Sequence, residues 1–492
     1  MGSNKNSAGD EQLGRRALLQ VIGAGALTGG LGLGPEAPAR AAERRDPSVV
    51  DIAIIGAGLS GLTSARELQR AGCESFMVFE ARDRVGGRTL NIEIGEGIIT
   101  EGGGQWIGPG QDEILNLARE LGIATFESYH KGKAVYFVGE EMLTADDTGG
   151  GIMSHNPLVS KINEMAKKVP SAAPWTAPLA AEWDKLSLAD WLSAESASEE
   201  DRTNFFLSAI LTYGAPPEKL SLLAYLTLIN SSDSDLGKLE SMEGGAQEQR
   251  LVGGSWKLSE KMTEGLAGKI RLSSPVRGLS GWDGDHVELR TDSGVVRARQ
   301  VISAMSPSLC NKIAFSPPLP ANRAAMQKAW PTNAKMRKIA LVYDRPFWRD
   351  AGFNGQVLDI GGPLLWSADN SPPNGSRGVL TGFIREGSLP NDSDKAKSAI
   401  AATFARAYGE AALAPVQFHE VDWGSIDEWS LSCTSPYPPG FLTRWGPVMR
   451  EPLGRITWSG TDMADRYASS MDGAIRAGRR AALIALAALA AG

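Results

Sequence analysis

The sequence predicts an α/β fold built on a parallel sheet, and three local observations predict it. Val49-Val50-Asp51-Ile52-Ala53-Ile54-Ile55 is an almost unbroken apolar, β-branched run, the pattern of a strand buried on both faces. It leads into Gly56-Ala57-Gly58-Leu59-Ser60-Gly61 and then a helical stretch from Leu62 to Ala71. A second short strand, Ser75-Phe76-Met77-Val78-Phe79, ends on an acid, Glu80.

Each glycine of the turn has a separate reason to be there. Gly56 permits the tight turn, Gly58 lets the backbone approach a pyrophosphate, and Gly61 allows close packing of helix on strand. The helix after the turn offers unpaired N–H groups and a positive dipole end to phosphates. Glu80 stands about 20 residues beyond the last motif glycine, where ribose hydroxyls are held. A glycine turn in any α/β domain would not require that acid, so the unit reads as a dinucleotide site. An acid there also disfavours a 2′-phosphate and hence NADP.

The rest of the composition mostly excludes. A chain of 492 residues has room for more than one domain and an ample core. Its 3 cysteines have no Cys-x-x-Cys spacing, and its 4 histidines (His130, His155, His286, His419) lie far apart. Neither a disulfide framework nor a metal site is expected. A net charge of −7 argues against nucleic acid, which needs clustered Lys and Arg.

Residues 1–42 read as a processing segment rather than as fold. Arg15-Arg16 precedes an apolar, glycine-rich run from Val21 to Leu33, followed by Ala39-Arg40-Ala41-Ala42. Charged, apolar, then Ala-x-Ala is a secretory signal, and the paired arginines place it in the twin-arginine class. The expectation is a periplasmic or secreted protein, exported already folded by the twin-arginine machinery, a route suited to a bound cofactor. Neither this run nor the terminal stretch Ala481–Ala491 is long enough to span a bilayer, so no stable membrane anchor is expected.

The segment after Glu80 decides between NAD and FAD. In Ala81-Arg82-Asp83-Arg84-Val85-Gly86-Gly87-Arg88-Thr89, two adjacent glycines flanked by arginines suit a backbone passing a second diphosphate face. With Glu80, this segment is almost verbatim the signature of the flavin-dependent amine oxidases, and the chain resembles that monoamine oxidase family. The resemblance continues at Glu101-Gly102-Gly103-Gly104-Gln105-Trp106-Ile107-Gly108-Pro109, Gly244-Gly245-Ala246-Gln247-Glu248 and Val252-Gly253-Gly254-Ser255. It recurs at Val301-Ile302-Ser303-Ala304, Pro438-Pro439-Gly440, Ser459-Gly460-Thr461-Asp462 and Met471-Asp472-Gly473-Ala474, in consistent order.

The resemblance implies a two-domain, Rossmann-like FAD-binding fold with an interleaved substrate domain. The FAD domain would comprise residues 46–125, 252–327 and 426–488, and the substrate domain 126–251 and 328–425. It implies FAD contacts at Gly56, Gly58, Gly61, Glu80, Arg82, Gly87, Arg88, Gly103, Gly104, Gln105 and Trp106. Further contacts fall at Val276, Gly460, Thr461, Asp462 and Met471. The activity implied is oxidation of an amine C–N bond to an imine, with O2 reduced to H2O2. A dehydrogenase passing electrons to a protein or quinone is the alternative, and an FAD-dependent desaturase or isomerase a more distant one. The sequence leaves the oligomeric state open, a homodimer included.

Four features should face the chemistry. Lys338 lies in the strand-like run Lys338-Ile339-Ala340-Leu341-Val342-Tyr343, at the family's spacing before Phe347-Trp348. The resemblance makes it the catalytic lysine that holds a water near flavin N5, with Lys335 as the rival. Gln247 matches a position lining the substrate cavity, and an amide orients an amine without trapping it as an ion pair. Ser469 and Ser470 are N-cap types ahead of a helix running from Met471 to the C-terminus, whose positive end would stabilise charge on a reduced flavin. The fourth is the stretch from Trp423 to Gly440. Counted without gaps, Ser432 falls where relatives carry a flavin-linked cysteine, Cys433 falls on one aromatic wall of the substrate cage, and Ser470 on the other. The expectation is non-covalent FAD and a cage open to a bulkier or more polar amine. A shift of one residue would put Cys433 on the covalent position.

Overall fold

The computed structural model describes residues 49–146, 153, 156–332 and 336–491. Residues 1–42, expected to be an export signal, His155 and Lys335 lie outside these residues. The first strand is Val49–Ile55, as its β-branched run requires, and it pairs in parallel with Phe76–Phe79 on one side and Gly294–Ser303 on the other. The helix between them is Leu59–Arg70, starting three residues earlier than its apolar pattern suggests. Gly58 is extended at its N-cap, so the last motif glycine sits inside the first helical turn.

Around this nucleus an eight-stranded sheet assembles in the order Ala314–Ser316, Val276–Ser280, Val287–Thr291, Gly294–Ser303, Val49–Ile55, Phe76–Phe79, Ile270–Arg271, with Ile456–Trp458 also paired to Gly294–Ser303. Ile52, Ile54, Leu62, Leu68, Phe76 and Val78 are fully or almost fully buried on its helix-covered side. The C-terminal helix, Met471–Ala491, closes that face with Ile475, Ala481 and Ala482. It crosses Leu59–Arg70 so closely that a Cβ on Gly478 would stand 2.4 Å from the Ser60 carbonyl oxygen. The Ser64 hydroxyl donates to the Gly478 carbonyl at 2.9 Å. The small residues of this helix thus serve helix packing; its first residues serve the cavity described below.

A second, four-stranded antiparallel sheet runs Leu364–Asp369, Gly378–Ile384, Arg337–Tyr343, Gln417–Asp422. The fold also contains a three-stranded sheet (Phe353–Ile360, Lys133–Val138, Glu141–Asp146) and, among other helices, Leu188–Ala194, Glu199–Tyr213 and Leu222–Ser231. Arg337–Tyr343 is an inner strand of its sheet and buried along its whole length, which is why an apolar run follows Arg337 and Lys338, with Arg337 paired to Glu420. Pro47–Gly492 form one compact unit. Among the described residues, no helix is long and apolar enough to cross a membrane.

Candidate active site

A cavity of about 1130 Å³ extends from the glycine turn at Gly56 to the central strand of the four-stranded sheet. Of the residues expected to meet the nucleotide, Gly56, Gly58, Glu80, Arg82, Gly87, Arg88, Gly103, Gly104, Gln105, Trp106, Val276, Gly460, Thr461 and Met471 line it. So do Lys338, Gln247, Trp423, Cys433 and Ser470. Gly61 and Asp462 do not. Gly61 is spent on helix packing, since a Cβ there would lie 1.9 Å from the Gly56 carbonyl oxygen. Asp462 is buried one layer back, accepting from the Ser435 hydroxyl at 2.6 Å and from Arg88 at 3.4 Å. It positions Arg88, whose guanidinium also donates to the Cys433 carbonyl at 2.9 Å.

The nucleotide end is built to admit a diphosphate. Gly56 has φ +101° and Gly87 φ +58°, and a Cβ on Gly87 would stand 3.3 Å from Gly58 Cα. Two bare backbones therefore face one another, and side chains at either would fill the cradle. The Glu80 carboxylate accepts the amides of Ala57 at 2.7 Å and Arg82 at 3.0 Å, which locks the turn to the end of the second strand. Its remaining lone pairs are available to ribose hydroxyls. The Arg82 side chain is committed elsewhere, in a two-pronged pair with Asp427 at 2.6 and 2.9 Å. These residues fit FAD. At the far side the C-terminal helix presents Ser470, Met471 and Ala474 to the cavity. Ser470 caps that helix, its hydroxyl accepting from the Gly473 amide at 3.0 Å.

Lys338 is the most constrained group in the site. Its side chain is buried, its Nζ donates to the Gly103 carbonyl at 2.7 Å and to Gln105 Oε1, and it lies 5.3 Å from the Trp106 ring centre. Burial lowers its pKa to about 7, with Arg250 adding to the effect and Glu101 opposing it. Behind it runs a buried chain. Gln105 Nε2 donates to Asn370 Oδ1 at 2.6 Å, Asn370 Nδ2 donates to Thr100 and Glu101, and Glu101 pairs with Arg250 at 2.7 Å. Thus the Gln105 side chain, expected at the nucleotide, is spent on orienting Lys338. Trp423 is held by its indole N–H on the Gly102 carbonyl at 2.8 Å. Burial pushes the Cys433 thiol up, away from the thiolate form that a flavin linkage would need.

Gln247 Nε2 donates to the Leu239 carbonyl at 3.3 Å, while its Oε1 is buried without a partner. Among the lining groups that sequence reasoning missed are Tyr136, Trp366, Phe383 and Glu240. Trp366 stands edge-on to Trp106 with ring centres 5.6 Å apart and stacks with Phe383 at 6.3 Å. Cys433 and Ser470, expected on two walls of the cage, line the cavity, and aromatic surface comes to it from the sheet. That placement follows from the pairing of Trp366 with Phe383 across two strands, for which the sequence carries no local signal.

Comparison with known proteins agrees with this geometry. Residues 59–485 match the family described as flavin containing amine oxidoreductase. The chain is 34% identical over 450 residues to a Mycobacterium tuberculosis protein bearing the name flavin-containing monoamine oxidase AofH, covering 89% of this chain and 96% of that one. The structure is similar to wild-type putrescine oxidase bound to putrescine (TM-score 0.82, 32% identity, 89% of this chain and 99% of that one). It is also similar to cyclohexylamine oxidase from Brevibacterium oxydans IH-35A (TM-score 0.82, 30% identity, 89% and 98%). Glycine cradle, buried lysine and aromatic-walled cavity thus lie in a chain that matches throughout its folded length, and the protein belongs to the flavin-containing amine oxidoreductase family as an FAD-dependent amine oxidase.

Proposed function

We propose that this cavity oxidises the carbon beside a neutral amine nitrogen, giving an imine that water converts to aldehyde or ketone, with Lys338 as the catalytic group. FAD, when bound, supplies the hydride acceptor and passes the electrons on to oxygen, forming H2O2. The observation that carries the role is the Lys338 side chain, buried with a pKa near neutrality. As an ammonium its Nζ has three donors, and Gly103 and Gln105 take two, leaving one for a water. As a neutral amine it keeps a lone pair that can accept a proton from that water. Near pH 7 it can therefore hold a water and move a proton through it.

The same lysine disfavours a second cation beside it, which helps the reacting amine shed its proton. Gln247 Oε1, a buried acceptor with no partner, supplies orientation without a full counter-charge. The N-terminus of the Met471–Ala491 helix and the Arg88 guanidinium add positive potential at the same cavity. FAD is held without a covalent link: by ungapped count Ser432 stands where relatives carry the flavin-linked cysteine, and burial raises the Cys433 thiol, which disfavours its thiolate. An amine panel read by peroxide release, with acid precipitation of the protein afterwards, tests these statements together. Peroxide should form, and the yellow colour should remain in the supernatant. Colour in the pellet would overturn the non-covalent assignment.

We further propose that residues 1–42 direct export through the twin-arginine machinery to the periplasm or beyond. The support is Arg15-Arg16 ahead of the apolar run and Ala39-Arg40-Ala41. Replacing both arginines (Arg15→Lys with Arg16→Lys) should leave the folded, flavin-loaded protein in the cytoplasmic fraction. Unchanged export would refute it.

A further inference from the structure

The buried chain behind Lys338 has a fixed direction, and that direction has a chemical consequence. One end is Glu101, a carboxylate paired with the Arg250 guanidinium at 2.7 Å, which can only accept. The other end is the Lys338 ammonium, which can only donate, to Gln105 Oε1 and to the Gly103 carbonyl at 2.7 Å. Between them stand two side-chain amides, Asn370 and Gln105, each with one accepting and one donating end. A single arrangement satisfies every member. Asn370 Nδ2 donates to Glu101 at 3.1 Å and to Thr100 at 2.8 Å, and Asn370 Oδ1 accepts from Gln105 Nε2 at 2.6 Å. Gln105 Oε1 is thereby left for Lys338. Turning either amide over would set oxygen against oxygen or nitrogen against nitrogen among buried groups, where an unmade hydrogen bond is costly.

Asn370 follows the strand Leu364–Asp369, with its backbone amide on the Val379 carbonyl at 2.7 Å and its side chain buried. It is not among the residues lining the cavity, so its effect on the reaction passes through Gln105. When Lys338 loses a proton, its two remaining N–H bonds stay on groups that accept, the Gly103 carbonyl and Gln105 Oε1. The lone pair is then confined to the third position around Nζ, the one assigned to the water. An inverted Gln105 would instead aim its own N–H at Nζ and take up that lone pair.

We propose that Asn370 is a positioning residue: by fixing the sense of the Gln105 amide, it keeps the lone pair of neutral Lys338 free for the water. The proposal rests on the reading of Lys338 as the catalytic group and extends it. Glu101, held by Arg250, sets the direction of the relay, and Asn370 transmits it.

The test compares Asn370→Leu, Asn370→Asp, Gln105→Leu and the double variant Asn370→Leu with Gln105→Leu, each as FAD-loaded enzyme. The substrate is the amine that reduces wild-type flavin fastest. Flavin absorbance per mole of protein and Tm are recorded for each, so a folding defect is read separately. Asn370→Leu should slow the half-reaction that Lys338→Met slows by roughly tenfold, in kcat rather than KM, the scale of one misdirected hydrogen bond to a charged group. Its pH profile should show the Lys338 ionisation moved below the wild-type position, because an N–H facing Nζ disfavours the ammonium. Adding Asn370→Leu to Gln105→Leu should cost less than about twofold more, since no amide is left to turn. Asn370→Asp, sharing one proton with Glu101, offers Glu101 a donor and Gln105 an acceptor, and should stay within about threefold of wild type with no downward shift. Asn370→Ser, whose hydroxyl is too short to bridge Glu101 and Gln105, gives the same comparison if Asn370→Leu loses its flavin. Additive losses in the double variant, equal losses in Asn370→Leu and Asn370→Asp, or a wild-type rate and pH profile in Asn370→Leu would overturn the inference while leaving Lys338 in its role. Wild-type half-reactions in Lys338→Met would overturn both.

Discussion

Replacing Gly61 by valine should abolish flavin retention, so that purified G61V is colourless where wild type is expected to be yellow. A Cβ at Gly61 would stand 1.9 Å from the Gly56 carbonyl oxygen, 3.0 Å from its carbon and 3.4 Å from Ala304 Cβ. None of these can yield cheaply. Gly56 donates its amide to the Phe79 carbonyl at 2.7 Å, and Ala304 donates to the Ile55 carbonyl at 2.8 Å, so both belong to the sheet itself. Helix Leu59–Arg70 would have to lift off the sheet, taking its first-turn amides away from the diphosphate cradle. Ordinary overpacking costs about 1–3 kcal/mol, and a clash with fixed backbone exceeds that range. Flavin absorbance per mole of protein and Tm report the two consequences separately. A yellow G61V with wild-type Tm would contradict the close approach of helix and strand.

Lys338→Met should keep FAD bound but slow turnover or flavin reoxidation by oxygen by roughly a hundredfold or more, the scale of a lost proton-transfer group. Stopped-flow half-reactions separate this from a binding defect: the absorbance of bound FAD should match wild type. The wild-type pH profile should show an ionisation near 7 that the variant lacks, since burial lowers the Lys338 pKa to about 7. The stability of the same pair of proteins carries a second signature. With a folded pKa of about 7 against an ordinary 10.5, the unfolded chain binds the extra proton between those values. Wild-type stability therefore rises with pH across that window relative to the variant. The stability advantage of Lys338→Met should be largest at and below pH 7 and shrink towards pH 10.5. Wild-type half-reaction rates in the variant, or a flat stability difference, would remove Lys338 from the mechanism.

The nucleotide half was legible because its chemistry is written in consecutive residues. A β-branched run, a glycine turn and a terminal acid lie within one βαβ unit, and they occupy the structure as Val49–Ile55, Leu59–Arg70 and Phe76–Phe79 followed by Glu80. Lys338 was legible through its spacing to Phe347-Trp348, and its burial in a central strand agrees with that. The roles of individual side chains were less so. Gln105 and Asp462 sit in the right motifs but turn towards Lys338 and towards Ser435 and Arg88. A motif states where the backbone runs, whereas the direction of a side chain depends on partners far away in sequence.

By itself, then, the sequence determined the α/β class, the FAD site and the place of Lys338 in a buried strand, because glycines, acids and spacings of that kind act locally on the backbone. Only the tertiary structure decided the far end of the cavity. There Trp366 and Phe383 bring aromatic surface to the cavity from paired strands. Glu240 is brought beside Gln247 by a turn whose hydrogen bonds no pattern announces. The lining there depends on such long-range neighbours: what a buried polar group costs or offers depends on what stands within hydrogen-bond reach of it.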